Sequence, residues 1–327
     1  MWLSLAAYTP FLVIALIAQW SDRDRGIRWM TYGLFIVFDA LTALGGLLAL
    51  LLGQSRELQR LLMVQYPGLA SLRWNDFGLI VLGTTALAPV FLLRFVRGFI
   101  ARLIPIDPDS GIHAVALALA GLGIGLNFAQ LPLIGGLDTL AESTFQVAFV
   151  DLLVSNLPIG LFAFVGVGFL IRRAPRETWE RLGLERVTWR HLGLVVGLTL
   201  AILVFYYGVD WLWEVVDPEN HEMMEALGEV LYGGVMSTWQ ALVMSLAAGV
   251  TEELLFRGAL QPRFGLLLTA VLFAAVHVQY GLTPATLEVF GAALVLGWLR
   301  QRTNTGACIL LHVLYDIAGL LAFPLLP

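Results

Sequence analysis

The chain has 327 residues, of which 59% are hydrophobic and 13% charged, and its mean hydropathy is +0.83. Soluble domains carry nearer a quarter of their residues as charges, so this composition excludes a water-soluble globule and predicts an all-α integral membrane protein with no nucleic-acid partner. The single Cys308 excludes an internal disulfide and a cysteine-based metal site. The net charge of −5 decides little, because in such a chain the placement of charge matters more than its sum.

Apolar runs long enough to span, or nearly so, lie at Trp2–Trp20, Trp29–Leu52, Phe77–Phe95, Ile112–Leu131, Phe145–Ile171, His191–Trp213, Val235–Leu255, Phe264–Tyr280, Pro284–Leu299 and Gly306–Pro324. They predict about ten transmembrane helices. The N-terminus lacks the basic flank and small-residue site of a cleaved signal, so the first run reads as a retained helix. Every basic residue is an arginine. Arg23, Arg25 and Arg28 follow the first run, Arg94, Arg97 and Arg102 the third, Arg172 to Arg190 the fifth, and Arg300 and Arg302 the ninth; Arg257 and Arg263 end the seventh. Every second loop is therefore basic and cytoplasmic, with both termini outside. The exception is Gln54–Asp76, which holds Arg56, Arg60 and Arg73; its Leu58, Leu61 and Leu62 predict an interfacial helix.

Residues 174–190 form the only long polar cytoplasmic linker and divide the chain. Residues 1–173 are N-terminal helices of unassigned role, and residues 191–327 hold nearly every ionisable group placed in an apolar run. The expected location is a cell membrane, the inner or plasma membrane of a prokaryote. The acidic stretch Glu214–Glu229 is expected outside as an amphipathic cover, with Met223, Met224, Leu227 and Leu231 on one side.

Within the seventh run the chain reads Thr251–Gly258, TEELLFRG. An ionised side chain at the bilayer centre costs roughly 2.5–3.5 kcal/mol on insertion scales, so Glu252, Glu253 and Arg257 in one short stretch need a reason. Glu253 and Arg257 are four apart with the acid N-terminal, the better orientation for an ion pair. Glu252 points roughly 100° away from its neighbour, which leaves one carboxylate neutralised and the other available for chemistry. Phe273 and His277 share a face of the eighth run, as His312 and Asp316 do in the tenth. If the seventh helix turns near Gln261–Pro262, Glu252 lies about 14 Å from that end, His277 about 20 Å in from Phe264, and His312 and Asp316 about 10–16 Å in from Thr305. Groups at one depth inside a membrane should face one another, since facing lipid is too costly.

A carboxylate beside imidazoles can activate water, directly or as the partner of a metal-bound water. No HExxH and no GxSxG is present. Acid–histidine chains also carry protons through transporters, which the residues alone leave open. EELLFR, FAAVH and HVLYD, in this order, resemble the three motifs of the CPBP family of intramembrane proteases, also called the type II CAAX endopeptidase or Abi family. The resemblance covers only the last ninety or so residues. It implies a membrane-embedded protease core within residues 235–327, in the last four or five helices. It implies Glu252 as the base that activates water, supported by Glu253 and Arg257, with His277 as partner of that water and His312 with Asp316 at the oxyanion. It leaves open both a metal-free glutamic mechanism and a metalloprotease with Zn²⁺ held by Glu252, His277 and His312. The substrate it implies is a membrane-embedded or lipidated peptide. A family member that binds without turnover, as an immunity protein, is a further alternative. Asp316 stands where many members carry Asn, and an ionised Asp cannot donate a hydrogen bond.

The remaining polar residues take simpler readings. Phe273 is packing that holds the histidine's helix. Asp39 and Asp151 serve helix-to-helix hydrogen bonding, Glu288 and Asp210 reach the interface, Cys308 is a small core residue, and His113, His191 and His221 receive no role. The topology is checked by cysteine labelling: positions in Ala174–Arg190 should react only from the cytoplasmic side and positions in Asp217–Gly228 only from outside. Labelling of both from one side would break the alternation.

Overall fold

The computed structural model describes residues 2–65, 72–133, 136–142, 146–235 and 237–322; parts of expected elements outside these ranges lie outside the described residues. The described chain is helical: α1 (Trp2–Ala18), α2 (Arg25–Gln54), α3 (Arg56–Gln65), α4 (Trp74–Leu87), α5 (Arg94–Ile100), α6 (Gly111–Phe128), α7 (Gln130–Leu133), α8 (Leu137–Ala141), α9 (Phe149–Val167), α10 (Pro175–Leu182), α11 (Trp189–Val216), α12 (Pro218–Tyr232), α13 (Thr238–Glu253), α14 (Gln261–Val276), α15 (Pro284–Arg302) and α16 (Thr305–Ala322). A 3₁₀ turn (Ala88–Leu92) extends α4, and a π-helical segment (Leu254–Leu260) joins α13 to α14.

Among the described residues six helical stretches are long and apolar enough to cross a membrane, including one over Thr238–Val276. The protein is an all-helical, multi-pass membrane protein. Ala6–Ala18 and Thr305–Leu320 are further, shorter apolar stretches, and α15, which carries Glu288, Arg300 and Arg302, is not among the six.

The Thr238–Val276 stretch is not one rod. Twenty-five residues of straight helix would hold Glu252 and His277 about 37 Å apart, yet their side chains approach to 3.9 Å. The chain reverses at Gly265, whose φ of 72° and ψ of 175° interrupt the helical dihedrals in a region open essentially only to glycine. The expected turn at Gln261–Pro262 is thus displaced by a few residues. Gln261 instead donates through Nε2 to the Gly297 carbonyl (2.8 Å), which ties α14 to α15.

The chain forms two compact units, Val13–Ser143 and Met1–Leu12 with Thr144–Pro327. In the first, α2 and α4 approach through glycines: a Cβ on Gly78 would lie 2.7 Å from the Gly46 carbonyl oxygen, the small-residue contact by which membrane helices pack closely. Asp22 accepts hydrogen bonds from the Gly111 N–H (2.7 Å) and the Ser110 hydroxyl, fixing the start of α6. Asp39 is buried in α2, and among the described residues its Oδ1 has no hydrogen-bond partner. The segment Arg56–Gln65 is helical, with Leu58 and Leu61 exposed.

The second unit holds α9 to α16. Val195, Ile202, Leu296, Leu299, Cys308 and Leu311 form the core joining α11, α15 and α16. A Cβ on Gly249 would stand 2.8 Å from Val313 Cγ2, so a glycine is what lets α13 lie close against α16. On the other side α9 meets α13 at Asn156, whose Oδ1 lies 3.1 Å from the Thr251 hydroxyl. α12 is amphipathic as expected, with Glu222, Glu225 and Glu229 exposed and His221, Leu227 and Val230 buried. Asp210 is not merely interfacial: its Oδ1 pairs with His221 Nε2 at 2.9 Å, and the Trp213 ring lies edge-on to that imidazole. Glu288 is half-buried, its Oε1 without a hydrogen-bond partner, and Asp151 is exposed in the first turn of α9.

The reversal makes a stability prediction. Gly265→Ala forces a Cβ into that backbone conformation and should cost about 1–3 kcal/mol, read as a lower unfolding midpoint of the detergent-solubilised protein. Gly193→Ala, in the body of α11 with open space at the Cβ position, should be neutral or slightly stabilising. Equal behaviour of the two would contradict the glycine-only turn.

Candidate functional site

The site is built where α13 gives way to the π-helical segment. Its wider turn carries Leu254–Leu260, and π segments inside α-helices recur at functional sites. Glu253 and Arg257 are both fully buried, with Nε and Oε2 3.1 Å apart. That is an ion-pair distance without hydrogen-bond alignment. Among the described residues the guanidinium has no hydrogen-bond partner; its face instead lies 4.6 Å from the centroid of the Phe273 ring, a cation–π contact worth most where water is excluded. The other Glu253 oxygen, Oε1, accepts from His312 Nδ1 at 2.8 Å.

The carbonyls of the π segment are held from outside. Arg181, on α10, donates to the Gly258 carbonyl (2.6 Å) and the Ala259 carbonyl (3.1 Å). A Cβ on Gly258 would meet the Leu182 carbonyl and Cδ2 at 3.0 Å, so this glycine lets the end of α10 nest against the turn. The linker also grips α16: Thr305 donates through its hydroxyl to the Leu182 carbonyl (2.6 Å) and through its N–H to the Gly183 carbonyl (2.9 Å).

His277 does not lie within a helix but caps the C-terminus of α14, with φ −90° and ψ 47°. Its Nδ1 donates to the Phe273 carbonyl at 2.7 Å. In the neutral ring this leaves Nε2 as a lone-pair acceptor, and Nε2 faces Glu252 Oε2 at 3.9 Å. That gap is too long for a direct hydrogen bond. His312, buried in α16, has carboxylates on both nitrogens: Glu253 on Nδ1, and Asp316 Oδ2 at 3.5 Å from Nε2. Only a protonated ring can donate on both sides. Tyr315 stacks on His312 (4.9 Å), and Phe273 meets Phe256, His277 and His312 by ring contacts.

The structure thus brings Glu252, Glu253, Arg257, His277, His312 and Asp316 into one chain of contacts. Of the three residues expected to hold zinc if a metal is used, Glu252 and His277 face each other, while His312 contacts Glu253 and Asp316. Among the described residues no three His, Cys, Asp or Glu side chains are placed to hold a metal ion. Sequence reasoning missed Tyr232 and Tyr280. Their hydroxyls lie 3.1 Å apart, and Tyr280 stacks parallel on His277 at 6.2 Å, so the end of α12 touches the turn that carries the histidine. No spacing rule links a tyrosine on a cover helix to one forty-eight positions later.

Comparison with known families gives a match to the C-terminal part of the chain. The model of the type II CAAX prenyl endopeptidase Rce1-like family matches residues 234–318. The match spans all three motifs and leaves the first 233 residues outside it. Residues 234–318 are thus similar to that endopeptidase family, and the similarity is confined to that part of the chain. Neither the curated proteins nor the solved structures gave a match.

The buried ion pair makes a prediction of its own. Arg257→Ala leaves Glu253 buried without its counter-charge and should lower stability by about 3–5 kcal/mol. Removing both charges, as Glu253→Gln with Arg257→Gln, should cost clearly less than the two single changes added together. Additive losses in thermal unfolding would show that the two groups are not coupled.

Proposed function

We propose that the protein is an intramembrane endopeptidase that hydrolyses a peptide bond of a membrane-embedded or lipidated substrate, with Glu252 as general base. One observation carries this reading: Glu252 Oε2 and His277 Nε2 face each other across 3.9 Å. A single water hydrogen-bonded to both groups fits that separation. The Phe273 carbonyl fixes the imidazole so that the nitrogen facing Glu252 is the one with the lone pair.

The chemistry follows from these positions. Glu252 takes a proton from the water as its oxygen bonds to the scissile carbonyl carbon. The carbonyl oxygen becomes an oxyanion. Breaking the C–N bond then regenerates the carbonyl, and the proton held by Glu252 passes to the leaving amine. Glu253 is not consumed in these steps; it stays between Arg257 and His312. His312 Nε2 is the nitrogen with the longer contact, 3.5 Å to Asp316, so it is the donor that can turn to a developing oxyanion. Glu253 holds the opposite nitrogen and thereby sets the ring's orientation. A prenylated peptide is the substrate the matched family's description names; a membrane-associated substrate is what the buried site requires.

Two experiments test the assignment on reconstituted protein with a membrane peptide. Glu252→Gln keeps the shape but removes the base, so hydrolysis should fall to background while the protein stays inserted and folded. Wild-type turnover in this variant would remove Glu252 from the mechanism. Asp316→Asn keeps a side-chain oxygen that can accept from His312 Nε2 and adds an N–H donor; it should preserve activity and leave it insensitive to chelator. Severe loss restored by added Zn²⁺ would instead make the protein a metalloprotease.

A further inference from the structure

The arginines at one end of the second unit are not spread as a solvated face. Arg173 closes the turn after α9, Arg181 lies on α10, Arg263 follows the π segment, and Arg300 ends α15. Contacts among these segments draw them together. Arg181 reaches the Gly258 and Ala259 carbonyls, a few residues before Arg263. Arg300 Nη2 sits only 2.4 Å from where a Cβ on Gly183 would stand, two residues beyond Arg181. Arg173 donates through Nη1 to the Val167 carbonyl.

Their hydrogen-bond partners leave most of the charge uncompensated. Backbone carbonyls take up donors on Arg173 and Arg181 but carry no formal charge. Arg300 Nε is buried without a hydrogen-bond partner, and Arg263 is exposed. The acids of α10 have other hydrogen-bond partners: Glu180 pairs with Arg176 at 3.0 Å, and Glu177, which offsets part of the charge of Arg173, accepts from the Ala174 N–H at 2.8 Å. Among the described residues no carboxylate stands at ion-pair distance from Arg173, Arg181, Arg263 or Arg300. Burial first, then repulsion from Arg173, Arg263 and Arg300, pushes the Arg181 guanidinium down to about 10, so it stays charged at neutral pH. Four cations held together against their own repulsion make an anion site.

The surroundings say which anion. Leu170, in the turn that Arg173 closes, is 71% exposed and stands in the left-handed region at φ 57°. Trp179 on α10 and Trp189 at the start of α11 are also exposed. Apolar and indole groups presented beside arginines at a helix end are the furniture of the headgroup level of a bilayer. Water offers no reason to display them.

We propose that Arg173, Arg181, Arg263 and Arg300 bind the phosphate of an anionic phospholipid headgroup, with Leu170 and Trp179 against its acyl and glycerol parts. The lipid would supply the counter-charge next to Arg181, whose hydrogen bonds hold the π segment of the site. Basic pockets on the cytoplasmic side of helix bundles take such headgroups, at about 1 kcal/mol per arginine.

The test reads binding and stability, not turnover, so it stands apart from the protease assignment. Short-chain phosphatidylglycerol, phosphatidylcholine and inorganic phosphate are each titrated into the full-length protein in neutral detergent while the thermal unfolding midpoint is followed. Phosphatidylglycerol should raise the midpoint saturably, and phosphatidylcholine and phosphate should not. Arg263→Gln with Arg300→Gln should weaken that response about thirty-fold, whereas Arg176→Gln, on the arginine already paired with Glu180, should keep it. Should the double variant fail to fold, Arg263→Gln alone, at an exposed position, should weaken it about five-fold. Equal effects of the two lipids, or an undiminished response in the variants, would overturn the site. Full reproduction by inorganic phosphate would overturn the lipid as its occupant.

Discussion

Glu253 is a carboxylate with no access to solvent, placed on a helix that runs through an apolar layer. Left alone it would cost more than the fold can supply, and the second unit is arranged around preventing that. Arg257 neutralises it from the following turn, and His312 donates to it from another helix. Phe273 covers the guanidinium, while Gly249 allows α13 and α16 close enough for the histidine to reach. Truncating one member exposes the others to the same penalty, so the cluster has to assemble as a whole. A folded unit of this kind delivers the histidine to its place without any further device.

Two adjacent carboxylates consequently live in different surroundings. Glu253 has both oxygens engaged, by ion pair or hydrogen bond, whereas Glu252 faces a nitrogen that it does not quite touch. Divergent environments for paired acids are how proteins assign separate roles to the same side chain. Helical geometry provides the divergence here, since neighbours on a helix look in directions roughly 100° apart. The saturated carboxylate orients, and the unsaturated one is left for the reaction we propose.

Part of this was legible in the chain and part was not. The apolar runs recover the helices because burial in lipid demands length and apolarity, both local properties. Glu253 with Arg257 and His312 with Asp316 were readable because i,i+4 spacing fixes a shared face. The reversal at Gly265 was not, since a glycine among apolar residues is also common in spanning helices. Nor were the partners that come from afar: Arg181 on the π-segment carbonyls, Tyr232 on Tyr280, and Asp210 on His221. Each depends on how one helix is rotated about its axis relative to another, which no single segment encodes.

The placement of His277 at the end of α14 has one more consequence. Its ring hangs from the carbonyl of the residue four earlier, at a helix end whose other limit is the reversal at Gly265. The distance between those two points is set by a count of residues. One residue added between them would turn the ring by about 100° and advance it about 1.5 Å, enough to carry it away from Glu252. The segment Leu266–Val276 thus behaves as a ruler, in which side chains facing lipid are exchangeable and the number of peptide units is not.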